Sequence, residues 1–213
     1  MQGRPDFDET FRANLRSLFV WRRDVRRFSS QPLPDGTIER LIELAGLSPS
    51  VGLSQPWRFV IVDDPNRRLA VLDQFKACNT AALKSFSGEL AARYARLKLA
   101  GLEEAPCQIA VFADRATQVG HGLGRSTMPE TAEYSAVAAI CTIWLAARAE
   151  GIGMGWISIL DPVRVAEILD VPGAWHFVGY FCLGYPQSAS DTPELEREGW
   201  ERRRPATTYL LRR

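Results

Sequence analysis

The sequence predicts one compact domain in which helices are interleaved with short strands. Two observations carry that expectation. The chain has 213 residues, 46% of them hydrophobic and 24% charged, enough for a single sizeable core with no second domain required. Along it, stretches with apolar residues at helical spacing alternate with four short runs rich in β-branched and aromatic residues, at 58–62, 107–114, within 151–160 and at 176–183. From residue 186 onward the chain turns polar and reads as a trailing arm, not an independent unit.

Composition narrows the function. The net charge is +1, so the basic clusters are local, whereas a general nucleic-acid or membrane binder usually shows a larger excess. The start, MQGRPDFDETFRANL, is polar and acidic, which reads as neither a secretory signal nor a membrane span and leaves a cytoplasmic location as the expectation. Cys78, Cys107, Cys141 and Cys182 lie far apart without a C-x-x-C pair, so neither a disulfide framework nor a metal site is expected. The two histidines, His121 and His176, are distant from each other, and no G-x-S-x-G elbow occurs, so a hydrolase triad lacks its parts. Difficult chemistry would have to come from a bound cofactor.

In order, residues 6–20 read as a helix, with Phe7, Phe11, Leu15, Leu18 and Phe19 near helical spacing and Asp8 or Thr10 available to start it. It runs into WRRDVRRF, residues 21–28. Read as helix, this stretch puts Trp21, Val25 and Phe28 on one face, and pairs Arg22 with Arg26 and Arg23 with Arg27. Arginine offers a planar, permanently charged fork suited to phosphate, and the lone carboxylate, Asp24, should stay ionised among four guanidiniums. The stretch is either a phosphate clamp or a solvated basic helix end. Residues 37–47 form an amphipathic helix that Ser48-Pro49 ends. The polar loop SPSVGLSQPW follows, offering Ser50, Ser54 and Gln55 either to a ligand's polar edge or to local backbone, before the strand at 58–62 and a turn at 63–65.

Residues 66–105 hold two more helical patterns, the second over 81–102, which reads as a surface helix or as a lid that excludes water. The strand at 107–114 leads to GHGLGRSTMPE, residues 120–130, a flexible loop whose glycines do not match a dinucleotide fingerprint. A helix over 130–150 is apolar almost all round at 136–147, as befits a central buried helix, one able to pack against a second subunit. GIGMGWISIL, residues 151–160, places a glycine-rich turn before a short strand carrying Trp156 and Ser158. Its glycines would let backbone amides approach a flat ring, or it is simply a helix end feeding a strand. A helix over 162–169 and the strand at 176–183 complete the body; His176 reads as an ordinary strand residue.

Two of these stretches, RRDVRRF and SPSVGLSQPWRFVIV, together resemble the nitroreductase superfamily of FMN-dependent enzymes. The superfamily opens with an R-R-S-V-R-x-F segment on the flavin phosphate, followed after one helix by a Pro-Ser loop ending in Q-P-W. Asp24 stands where serine is usual, and Leu53-Ser54 where many members carry a flavin-contacting asparagine, departures that point away from an ordinary nitroreductase. Adding RYARLKLAGLEEAP, GHGLGRSTMPE, GMGWISIL and DTPELEREGW, nearly the whole chain is similar to the 5,6-dimethylbenzimidazole synthase family within that superfamily.

That resemblance implies an α+β fold, a mixed sheet flanked by helices, with the C-terminal arm exchanged in a homodimer carrying two FMN sites. It implies reduced FMN as substrate, dioxygen as oxidant, and 5,6-dimethylbenzimidazole and erythrose 4-phosphate as products, with reduced FMN supplied by a separate NAD(P)H-dependent flavin reductase. It places catalysis on Asp24 and Ser158. It places FMN binding on Arg22, Arg23, Asp24, Val25, Arg26, Ser50, Ser54, Gln55, Leu99, Gly155, Trp156, Ile157, Ser158 and Arg203, with Arg202 and Arg204 as alternatives for the last. Two other readings fit the flavin motifs alone: an NAD(P)H-dependent nitroreductase or quinone reductase that keeps its FMN, and a flavin-binding protein without turnover.

Overall fold

Four strands, β1 (Trp57–Ile61), β2 (Cys107–Asp114), β3 (Gly153–Ile157) and β4 (Trp175–Gly184), form one antiparallel sheet in the order β1-β2-β4-β3 in the computed structural model, which describes residues 5–213. The first four residues of the polar start read above lie outside the described residues. Side chains alternate across a strand, so each strand feeds two cores. On one face Ile109, Val111 and Ala113 of β2 join Phe181 and Leu183 of β4 beneath helices α2 (Thr37–Ala45) and α5 (Thr131–Ala149). On the other, Ala110 and Phe112 join Tyr180 and Cys182 beneath α3 (Pro65–Leu83) and α6 (Pro162–Leu169). The chain is thus an α+β sandwich of helix, sheet and helix. Ala132, Ala136, Ala139 and Ala147 keep the buried face of α5 shallow enough to lie close against the sheet.

Helix α1 (Glu9–Trp21) begins at Asp8, whose carboxylate accepts from the Phe11 amide at 2.7 Å. None of its residues is buried; Phe7, Phe11, Leu15 and Phe19 all stand exposed. No helix among the described residues is long and apolar enough to cross a membrane.

Three local expectations need correction. The arginine stretch is not helical: the chain leaves α1 at Arg22 with ψ 113° and runs extended. Tertiary backbone pairing wins over the helical spacing, because the Val25 amide donates to the Met154 carbonyl at 3.0 Å, Asp24 forms a parallel bridge with Met154, and Ser29 donates to Tyr185 at 2.8 Å. The helix expected over 81–102 is broken. α3 runs on to Leu83, α4 (Gly88–Arg96) restarts after Gly88 takes φ +56°, and Leu97 turns extended with ψ 130°. Ser158 falls just past the end of β3 and is exposed. The C-terminal arm carries only a single helical turn, α7 (Glu194–Arg197), and a 3-10 turn at Ala206–Tyr209.

Candidate active site

In an extended ribbon alternate residues point to opposite sides. Residues 22–26 therefore separate Arg22, Asp24 and Arg26 from Arg23 and Val25, and the chain pins them there. The Trp144 indole of α5 donates to the Arg23 carbonyl at 3.1 Å, and the Arg22 guanidinium lies 4.7 Å over the Trp144 ring. Arg23 turns back to bond the Phe19 and Val20 carbonyls at the end of α1. The ribbon forms one wall of a cleft of about 170 Å³. Opposite it stand Pro193, Glu194, Leu195 and Arg203. Arg22, Arg23, Arg26 and Arg203 thus reach one space.

Like charges crowd that space. Burial, then the charges of Arg203 and Arg22, hold the Arg23 guanidinium below its ordinary value, against a smaller pull from Asp191. The buried Arg23 Nε finds no hydrogen-bond partner among the described residues. Both features ask for an anion with several oxygens, and a phosphate monoester has that chemistry.

Asp24 sits at the edge of this cluster with both oxygens engaged. Oδ1 accepts from the Trp156 amide at 2.8 Å and Oδ2 from Arg26 Nε at 2.9 Å. Its side chain keeps 31% of its surface exposed, toward the cleft it lines. Burial pushes the carboxyl above the usual carboxylate range, and the opposing charge of Arg26, the Trp156 amide and the charge of Arg22 do not cancel it. The carboxylate is therefore a better base than the four neighbouring guanidiniums alone imply. Arg26 has a second partner, its Nη1 donating to the Lys98 carbonyl at 3.1 Å, just past α4.

The glycine segment serves the ribbon. A Cβ on Gly155 would stand 2.0 Å from the Val25 carbonyl oxygen, so the close approach read above as room for a flat ring is taken by backbone. The Trp156 amide is given to Asp24, Ile157 is buried, and Ser158, exposed, follows directly. Leu99 packs half-buried against the core beneath α3 and α6, one residue beyond the carbonyl that Arg26 holds.

Ser50, Ser54 and Gln55 lie elsewhere. Their loop is fastened to α5, the Val51 amide donating to Ser135 Oγ at 3.0 Å, and to the glycine loop: a Cβ on Gly120 would stand 2.3 Å from the Gly52 carbonyl oxygen. Leu53 and Gln55 are held at φ +52° and +43°, conformations that side chains rarely adopt without a reason outside the loop. Ser50 Oγ accepts from the Gln55 amide at 3.1 Å. Ser54 is 2% exposed, and its Oγ has no hydrogen-bond partner among the described residues. No hydrogen bond or ion pair among those residues joins this loop to the ribbon at 22–26, so within one chain the predicted residues fall into two groups.

Residue-by-residue reading paired Arg27 with Arg23 and missed its actual partner across the back of the ribbon, Glu194, together with the Lys98 carbonyl and Trp200. Glu194 and Trp200 both belong to DTPELEREGW, a stretch singled out above without a role for any residue in it.

Residues 19–185 match the nitroreductase family, and the chain belongs to that family. Over 205 residues it is 56% identical to the 5,6-dimethylbenzimidazole synthase of Rhodospirillum rubrum, a match spanning 96% of this chain and 97% of that one. A 5,6-dimethylbenzimidazole synthase of Rhodobacter capsulatus is 46% identical over 200 residues, 94% of this chain and 97% of that one. Within the nitroreductases the chain therefore belongs with the 5,6-dimethylbenzimidazole synthases. The fold is also that of an oxidised iodotyrosine deiodinase solved with FMN and 3-iodo-L-tyrosine, with a TM-score of 0.70 at 23% identity over 83% of this chain and 91% of that one.

Proposed function

We propose that this chain makes 5,6-dimethylbenzimidazole by oxygen-dependent fragmentation of reduced FMN, releasing erythrose 4-phosphate. The relatives' name supplies the product, and the family resemblance supplies the substrate and the oxidant. The observation that carries the reaction onto these residues is the Asp24 carboxylate, fixed by Trp156 and Arg26 at the rim of a four-arginine cleft. The residues present fit FMN: the cleft suits its phosphate, and the orphaned Ser54 hydroxyl is a polar group waiting for a partner. Bound reduced flavin supplies the electrons that dioxygen consumes.

The chain's own residues do the rest. Arg22, Arg23 and Arg203 hold the phosphate end, and Val25 lends the ribbon backbone. Asp24, with its raised pKa, takes a proton from the ribityl region, and Arg26 fixes its direction. Ser158, exposed at the end of β3, relays a proton nearby. No metal is required. With Leu99 beside the ring, a lid that closes completely leaves little space for a nicotinamide, and a separate NAD(P)H-dependent flavin reductase then supplies the reduced substrate.

The two groups of predicted residues call for a homodimer in which the loop at 50–55 of one copy faces the ribbon of the other. The uncovered apolar face of α1 and the exposed Tyr209, Leu210 and Leu211 of the C-terminal arm are surfaces for that contact, the arm being exchanged between copies.

The test is direct. The protein is loaded with FMN, reduced without oxygen, exposed to air, and its small molecules are analysed by mass spectrometry. Dimethylbenzimidazole appearing as flavin disappears is the expected result. Intact oxidised FMN would overturn the reading in favour of a flavin-retaining reductase.

A further inference from the structure

The C-terminal half of helix α4 is tied to the surroundings of the phosphate cleft by two routes. Past its C-terminus, the Lys98 carbonyl is held by the same Arg26 that holds Asp24. Its one buried residue is Tyr94, whose hydroxyl donates to Asn79 Oδ1 at 2.7 Å and whose ring faces the C-terminal arm. There the Trp200 ring stands 5.6 Å from Phe86, edge to face, and 6.0 Å from Tyr94. Arg93 of α4 adds a hydrogen bond to the Gly199 carbonyl at 3.1 Å.

Trp200 is equally bound to the cleft. Its amide donates to the Leu195 carbonyl at 2.8 Å, and Leu195 lines the cleft with Glu194 and Pro193. Glu194 is tied by its ion pair to Arg27 of the ribbon. Three residues beyond Trp200, within about 10 Å of extended chain, is Arg203 in the same wall. Helix α4 and the wall that carries Arg203 thus share one aromatic joint.

We infer that Trp200 is a positioning residue that couples the lid to the phosphate: capture of a phosphate by Arg203 seats residues 193–203, and through Trp200 this closes α4 over the site. The inference rests on the phosphate reading of the cleft. It adds that the charged end of the substrate, not its ring, gives the signal to close. A lid with a single buried side chain has little stability of its own, so a wall that becomes ordered beneath it shifts its population.

The test is hydrogen exchange on the full-length protein with inorganic phosphate as the probe, in wild type, Trp200→Ala, Trp200→Phe and Arg93→Met. In wild type, saturating phosphate should slow exchange in residues 22–26 and, at least about fivefold, in residues 88–96. Trp200→Ala should keep the first effect and lose the second, Trp200→Phe should keep both, and Arg93→Met should weaken the second. Affinity should split the same way, Trp200→Ala losing the part of its preference for FMN over riboflavin that lid closure adds while riboflavin binds as in wild type. Protection of 22–26 without protection of α4 in wild type would sink the coupling and leave the phosphate site standing. No protection at 22–26 would remove the phosphate reading itself and the inference with it. If Trp200→Ala does not fold, undiminished α4 protection in Arg93→Met together with lost protection in Trp200→Phe overturns the joint as drawn.

Discussion

One carboxylate in the cleft, that of Asp24, has surroundings that work against its charge. Asp24 is raised by burial although Arg26 and an amide hold it, so its proton is more readily kept in the folded chain than in the unfolded one. Its contribution to stability is therefore full below about pH 4 and is lost as pH rises through the raised value. Thermal melts of the FMN-free protein from about pH 4 to pH 8 should show wild type losing ground to Asp24→Asn as pH rises. A constant difference between the two would mean that the carboxyl is not raised. The same substitution should cut dimethylbenzimidazole formation by about a hundredfold or more while FMN affinity changes little, measured by single turnover and fluorescence titration. Retained turnover would remove Asp24 from the chemistry.

At the scale of elements, β3 and the ribbon depend on each other through Gly155. Replacing it with alanine drives a Cβ to 2.0 Å from the Val25 carbonyl, which must move and take Asp24 with it. The expected cost is about 2–3 kcal/mol, a fall of roughly 6–10 °C in Tm, with FMN binding lost as well. An unshifted melt would mean that the ribbon yields freely. This dependence explains what the sequence could and could not reveal. Helix α6 and strand β2 were legible to the residue, because Asp161 and Pro162 mark a helix start and alternating residues of β2 feed two cores. The arginine stretch was not. Trp21, Val25 and Phe28 keep helical spacing, and only Met154, 129 residues after Val25, claims that backbone for the sheet edge. The break in the helix expected over 81–102 falls at Gly88, a glycine able to bend or end it, whereas its early C-terminal end precedes a carbonyl, that of Lys98, held by the distant Arg26.

At the scale of the molecule, the motifs named the residues but not their distribution, since nothing in SPSVGLSQPW says whether Ser54 faces its own ribbon or another copy's. The exposed face of α1 makes that question testable. Leu15→Glu, at an exposed position that leaves the helix intact, should turn a dimer into a monomer in sedimentation velocity and weaken FMN binding at least about tenfold. A dimer that persists with FMN bound normally would place the contact elsewhere. One further consequence lies in the sheet order. β3 has β4 on one side only, and a strand with a bare side is a template on which other chains can assemble. Here the bare side is occupied by residues 24 and 25. The backbone bonds that aim the carboxylate are the same ones that keep the folded chain from recruiting its neighbours. A mutation that frees the ribbon should therefore make the purified protein aggregate as well as displace the Asp24 carboxylate.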